Sequence, residues 1–299
     1  MAGEPNLIDA GYAATPADPE AAAQWCERYA QQHYENFTVV SWFLPKRLRA
    51  PMYSVYSFCR FTDDLGDEAE GDRLALLDEW DGELRRVFDG GARHPITVAL
   101  GNVARAYPIE PEPFLRLIEA NRRDQRQERY TTFRDLLEYC EYSANPVGEM
   151  VLALFGCTDA TRIALSNATC TALQLANHWQ DVARDYAAGR MYLPLEDLKR
   201  FGVAQEQIPA KQCDSNFRAL MRFEVDRAEA YFRQGEPLAA TVERDLRIDL
   251  QLFTAGGRAV LRAIERQGYD VLSRRPAISD PYKAWLTVRA LAQRWLGGQ

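Results

Sequence analysis

Segment after segment of this chain carries apolar residues at helical spacing and few alternate as strands do, and that periodicity constrains the fold more than any other feature. Pro19 to Gln32 has helical composition, with Asp18 placed as N-cap and Pro19 at the first helical position. Arg73 to Phe88 repeats apolar residues at Leu74, Leu77, Leu84 and Val87, then stops at Gly90-Gly91. Pro95 to Ala106 and Pro113 to Asp124 each open on a proline. Thr132 is positioned to cap Phe133 to Ala144, with Asp135 in the first turn. Pro51 to Asp67, Pro146 to Phe155, the long Thr158 to Asp185, Ser215 to Gln234, Arg244 to Gln267 and Pro281 to Trp295 complete the set, and Gly189 to Pro194 is a break. The expected fold is all-α. With no repeat, low-complexity tract or linker-like stretch in the middle, residues 21–299 are expected to form one helical domain behind a flexible N-terminus, residues 1–20.

Composition narrows the function. The chain has 299 residues, 47% of them hydrophobic, enough for a sizeable core. A net charge of −7 argues against nucleic acid as a partner, since phosphate recognition needs a basic face. Cys26, Cys59, Cys140, Cys157, Cys170 and Cys213 include no C-x-x-C pair, and His33, His94 and His178 are scattered. The cysteines read as reduced and buried. With a polar N-terminus that lacks an apolar signal segment, they point to a cytoplasmic protein. No stretch reaches the length of uncharged apolar residues needed to span a bilayer. G-x-G-x-x-G, Walker A and G-x-S-x-G patterns are absent from the sequence, which argues against a nicotinamide-binding Rossmann domain.

Two acidic motifs carry the chemistry. On a helix, Tyr56, Arg60, Asp63 and Asp67 share one face, with neighbouring Cβ atoms about 5–6 Å apart. Stacked carboxylates repel unless a divalent cation bridges them, and magnesium favours one or two carboxylates plus phosphate oxygens and water. The competing reading of this motif alone is a solvated acidic helix end. The second motif places Gln174, Asn177, Asp181 and Asp185 on one stripe among Leu173, Leu175, Ala176, Trp179 and Val182. Buried amides and carboxylates need partners, and an interhelical network with an arginine on Asp181 or Asp185 is the competing reading here. Facing each other across a cavity, the two D-x-x-x-D motifs are expected to hold Mg²⁺ ions around one diphosphate and stabilise its departure. Arg60 and Arg190 are the cations best placed to help bind it.

The motifs Y-S-F-C-R-F-T-D-D-L-G-D at Tyr56–Asp67, Q-L-A-N-H-W-Q-D-V-A-R-D at Gln174–Asp185 and G-R-M-Y-L-P at Gly189–Pro194 resemble those of the squalene/phytoene synthase family. Y-C-E-Y-S-A-N-P-V-G-E at Tyr139–Glu149 and the Gly268–Val271 region extend the likeness, from about Tyr34 to Arg274. Within the family, N-F-T-V-V-S-W-F-L-P at Asn36–Pro45, S-A-N-P-V-G at Ser143–Gly148 and N-H-W-Q-D-V at Asn177–Val182 are most similar to bacterial hydroxysqualene synthases of hopanoid pathways. Gln180 stands where squalene and phytoene synthases usually have arginine, which supports the subfamily and weakens any transfer of their diphosphate contacts.

The resemblance implies an isoprenoid synthase bundle with a central apolar cavity and Mg²⁺, two or three ions with the diphosphate. It implies ionisation of presqualene diphosphate and capture by water, with no NADPH required. It further implies Asp63, Asp67, Asn177, Asp181 and Asp185 as metal ligands, with Asp64 and Glu68 supporting them from behind, and Arg60 and Arg190 as the diphosphate clamp. Tyr56 and Tyr142 would act near the reacting carbons, although Tyr142 also reads as a core tyrosine; Gln174 would position Asn177 or water. Phe37, Phe58, Phe155 and Trp179 would line a tunnel for the prenyl chains, where aromatic faces also stabilise carbocations. Partner enzymes of the squalene pathway are implied as well. Tyr269, Arg274, Arg275, Lys283 and Trp285 form a basic and aromatic tail that reads either as a solvated surface or as a peripheral contact with the inner face of a membrane. Squalene or phytoene synthesis from two prenyl diphosphates, and a non-catalytic helical scaffold, are the rival functions.

Overall fold

The computed structural model describes residues 18–32, 44–279, 285 and 288, and the expected Pro281–Trp295 helix, Phe37, Lys283 and most of residues 1–20 lie outside them. Among the described residues there is no strand; the one extended contact is an isolated bridge between Arg129 and Met191. The expected all-α class is what the structure contains. The chain divides into two compact units, residues 1–126 with 146–159 and residues 127–145 with 160–299.

The first unit holds α1 (Pro19–Gln32), α2 (Lys46–Asp67), α3 (Arg73–Asp89), α4 (Pro95–Ala106) and α5 (Pro111–Asp124). Asp72 caps α3 by accepting from the Ala75 N–H at 3.1 Å, and Gly90 ends it at φ 81°, a conformation a side chain would oppose. α2 packs on its four neighbours. Its buried face carries Phe58, stacked on Trp80 and edge-on to Phe114, with Leu48, Leu65 and Leu77 around them. Each such side chain contributes about 2–3 kcal/mol by leaving water.

The second unit is built on α6 (Phe133–Ser143), α8 (Ala160–Ala187), α9 (Leu195–Phe201), α10 (Ser215–Gly235), α11 (Leu238–Thr241) and α12 (Arg244–Arg266). Another helix, α7 (Asn145–Leu154), starts in this unit and runs in the first. The Thr132–Asp135 capping box opens α6 as expected. α8 packs on both α10 and α12. It approaches α10 so closely that a Cβ on Gly235 would sit 2.8 Å from the Leu165 carbonyl oxygen. The Gly189–Pro194 break is pinned by a neighbouring stretch, through Met191 N–H to Glu128 O at 2.9 Å and Leu195 N–H to Tyr130 O at 3.0 Å. No described helix is long and apolar enough to cross a membrane.

Candidate active site

In the first unit, the last two turns of α2 present Asp63 and Asp67 to solvent while Asp64 turns inward. Asp64 accepts from the Tyr29 hydroxyl at 2.6 Å and pairs with Arg60 at 2.5 Å. Arg60 also reaches Glu68 at 2.7 Å. The Arg60 guanidinium is thus held in place by Asp64 and Glu68. Asn121 on α5 donates to Asp63 Oδ1 at 3.3 Å and to the Leu117 carbonyl at 3.1 Å. Asp63 is exposed as a residue, while the protein packed around its carboxyl group desolvates that group. That crowding, reinforced by Asp67, pushes its pKa up to about 7 despite the Asn121 amide. Tyr56, one turn before Arg60, is half-buried, and burial raises its pKa.

In the second unit, α8 carries Gln174, Asn177, Asp181 and Asp185 along one stripe, with Trp179 fully buried on another. Asn177 is exposed and Gln174 half-buried. Burial and the neighbouring Asp181 push the Asp185 carboxyl up to about 7. Asp181 itself is gripped by Arg275, whose Nε and Nη2 donate to its two oxygens at 2.5 and 2.8 Å. The arginine network anticipated as the competing reading of this motif is therefore present. Arg275 consequently does not belong to a free basic edge, while Trp285 is half exposed at 49%. Arg190 follows the positive-φ Gly189 and donates its backbone N–H to the Asp185 carbonyl at 2.8 Å.

Three further features escaped the motif reading. His178 is buried and stacked on Tyr192 at 3.6 Å between ring centres, and burial holds its pKa down to about 3, so it is neutral. Its Nδ1 lies 4.0 Å from Asp185 Oδ2. Tyr139 and Tyr130 extend the cluster, each within 5.7 Å of the Tyr192 ring centre. Asn121, on a different helix from the motif it supports, carries no local signature, and neither does Arg275.

Phe58 is 0% exposed and enclosed by Trp80 and Phe114 within the first unit, so it is core. Trp179 is likewise 0% exposed. Phe155 is partly buried against the same core as Phe58, and Tyr142 is half-buried.

Among the described residues no group of three or more His, Cys, Asp or Glu side chains converges into a metal cage. Each unit instead offers two like-charged carboxylates spaced four residues apart, one of them with a strong hunger for a proton. That donor set fits magnesium, which takes few protein oxygens and completes its shell from phosphate and water.

A family model for squalene/phytoene synthase matches residues 30–281. A 15-cis-phytoene synthase from Synechocystis sp. is 32% identical over 295 residues, spanning 92% of this chain and 88% of the relative. Among solved structures, a squalene synthase HpnC from Alicyclobacillus acidocaldarius matches with a TM-score of 0.83 at 50% identity, over 87% of this chain and 98% of that one. A dehydrosqualene synthase solved with a ligand gives 0.83 at 28% identity, over 94% and 100%.

Proposed function

Because the chain belongs to the squalene/phytoene synthase family, we propose that it ionises presqualene diphosphate and captures the cation with water, yielding hydroxysqualene and diphosphate. The carbon–oxygen bond to the diphosphate breaks, and the electron pair leaves with the phosphate. The cyclopropylcarbinyl cation rearranges, water adds to it, and the added water loses a proton. Magnesium, when bound, supplies charge neutralisation on the departing diphosphate.

The observation that carries this reading is the pair of carboxylates in each unit, Asp63 with Asp67 and Asp181 with Asp185, placed on helices spanned by one family match. In this reading each pair holds magnesium for diphosphate, Asn177 together with the second pair, Arg60 and Arg190 bind phosphate oxygens, and residues 21–299 work as one synthase domain. Gln174 positions Asn177 or water, and Tyr56 and Tyr142 act beside the reacting carbons. Phe155 lines the prenyl chains. Gln180 favours the water-capturing subfamily: its neutral amide bonds Arg275 and the Pro276 carbonyl. A second reading, condensation of two prenyl diphosphates to squalene or phytoene, is favoured by the 32% identity to a phytoene synthase.

Purified protein incubated with Mg²⁺ and presqualene diphosphate, without NADPH, should release an alcohol identified by mass spectrometry. Turnover of geranylgeranyl diphosphate alone, to phytoene, would establish the second reading instead. A chain that turns over none of these substrates, and melts at one temperature with or without Mg²⁺ and pyrophosphate, would be a scaffold.

A further inference from the structure

Resting on the magnesium-dependent reading above, we propose that Arg275 is a resident placeholder for the metal at Asp181, positioned there by Gln180, so that metal binding frees the chain around residues 275–279. The guanidinium occupies both oxygens of Asp181, at 2.5 and 2.8 Å. Magnesium needs one of those oxygens at about 2.0–2.1 Å. A metal ion on the same carboxylate would face the guanidinium charge a few ångströms away, and that repulsion makes magnesium and Arg275 competitors for Asp181. The exchange is cheap on the arginine side, since its side chain is already 52% exposed and can swing into water.

Gln180 makes the placement specific. Its side chain is buried, accepts from Arg275 Nη2 at 3.0 Å and donates to the Pro276 carbonyl at 2.6 Å. A neutral amide carries both the acceptor and the donor that this requires. An arginine at this position would bring like charge against Arg275, and a carboxylate could not donate to Pro276. The stretch before it is anchored independently: Asp270 accepts from the Leu272 and Ser273 N–H groups, and Gln267 donates to the Arg274 carbonyl at 2.5 Å. Metal-linked loosening is therefore confined to the residues beyond Arg274.

The test follows the methyl NMR signals of Ala277 and Ile278, with hydrogen exchange at residues 267–273, in the full-length protein during Mg²⁺ titration with inorganic pyrophosphate present. Methyl mobility at Ala277 and Ile278 should rise in step with metal occupancy while residues 267–273 stay protected. Arg275→Gln should show mobile Ala277 and Ile278 methyls from the outset and a Mg²⁺ midpoint lowered about three- to tenfold, the preference lost with a two-bond ion pair. Arg275→Lys, which keeps the charge but not the fork, should fall between the two. It also covers the case in which Arg275→Gln fails to fold. Metal binding by the wild-type protein without a change at Ala277 and Ile278, or a midpoint in Arg275→Gln equal to or higher than wild type, would overturn the placeholder. Absence of any Mg²⁺–pyrophosphate binding by the wild-type protein would instead overturn the functional reading beneath it.

Discussion

Tyr29 on α1 donates its hydroxyl hydrogen to Asp64 on α2 at 2.6 Å, and this bond divides two adjacent aspartates by role. Asp64 is turned inward, its second oxygen on Arg60, while Asp63 faces solvent. Tyr29→Phe removes one charge-assisted hydrogen bond from a buried carboxylate, a loss of about 1–2 kcal/mol. Melting should fall by about 2–6 °C. Turnover should stay within about threefold, whereas Asp63→Asn should lower it by about a hundredfold or more with little change in melting. Equal activity losses in the two variants would contradict this division.

Asp63 and Asp185 make the metal-free protein sensitive to pH. Both carboxyls are pushed up to about 7 from an ordinary 3.8, chiefly by burial. Between those values the folded chain keeps protons that the unfolded chain has released. Their contribution to stability is therefore complete on the acid side and is lost as pH rises through about 7. With EDTA present, wild-type melting should drop between pH 5 and pH 8 more steeply than that of the Asp63→Asn, Asp185→Asn double variant. Identical slopes would refute the assignment.

Gly66, inside the first motif, is required by a contact. A Cβ there would lie 2.2 Å from Asn121 Oδ1, and the same amide donates to Asp63. The Gly66 carbonyl also accepts from Gln125 at 2.9 Å, so the helix backbone is held against α5. Gly66→Ala should cost about 1–3 kcal/mol by overpacking and reduce turnover by displacing Asn121. Adding Asn121→Ala should restore part of the stability but not the activity. Urea midpoints and initial rates on the single and double variants read both effects.

Helix positions were legible wherever the stop and start signals were local. The Thr132–Asp135 box, the Asp18 cap and Gly90 need only residues within one turn. Proline misled where the signal was not local: α2 begins at Lys46 and runs through Pro51. Proline offers no N–H to the Arg47 carbonyl, and the distant Tyr107 hydroxyl reaches that oxygen at 3.3 Å. The short α9, from Leu195 to Phe201, was missed because it is too brief to show a period. In the candidate site the acidic stripes were visible from their spacing of four. Arg275 on Asp181, Asn121 on Asp63 and Tyr29 on Asp64 were not, because each partner arrives from another element and is an ordinary residue in its own surroundings.

The last prediction concerns a buried charge cluster remote in sequence from both motifs. Arg227 donates to Asp197 at 2.8 Å and to Glu224 at 3.1 and 3.2 Å, with its guanidinium 3.8 Å above the Phe133 ring. Glu224 is 0% exposed, and burial pushes its pKa up to about 8. Near neutrality the cluster therefore holds one cation, one anion and one neutral acid. Arg227→Met leaves the Asp197 charge buried without compensation, and should cost about 3–5 kcal/mol. Glu224→Gln keeps the neutral shape and should change stability at pH 6–7 by less than about 1 kcal/mol. Because the folded value lies above the ordinary 4.5, the Glu224 contribution is present in acid and lost as pH rises through about 8. Wild-type stability should thus fall between about pH 5 and pH 8 and level off above that, and Glu224→Gln should flatten that fall. Urea unfolding at pH 6, 7 and 9 decides it: a loss below about 1 kcal/mol in Arg227→Met would mean that the cluster is relieved by water or by movement of Asp197.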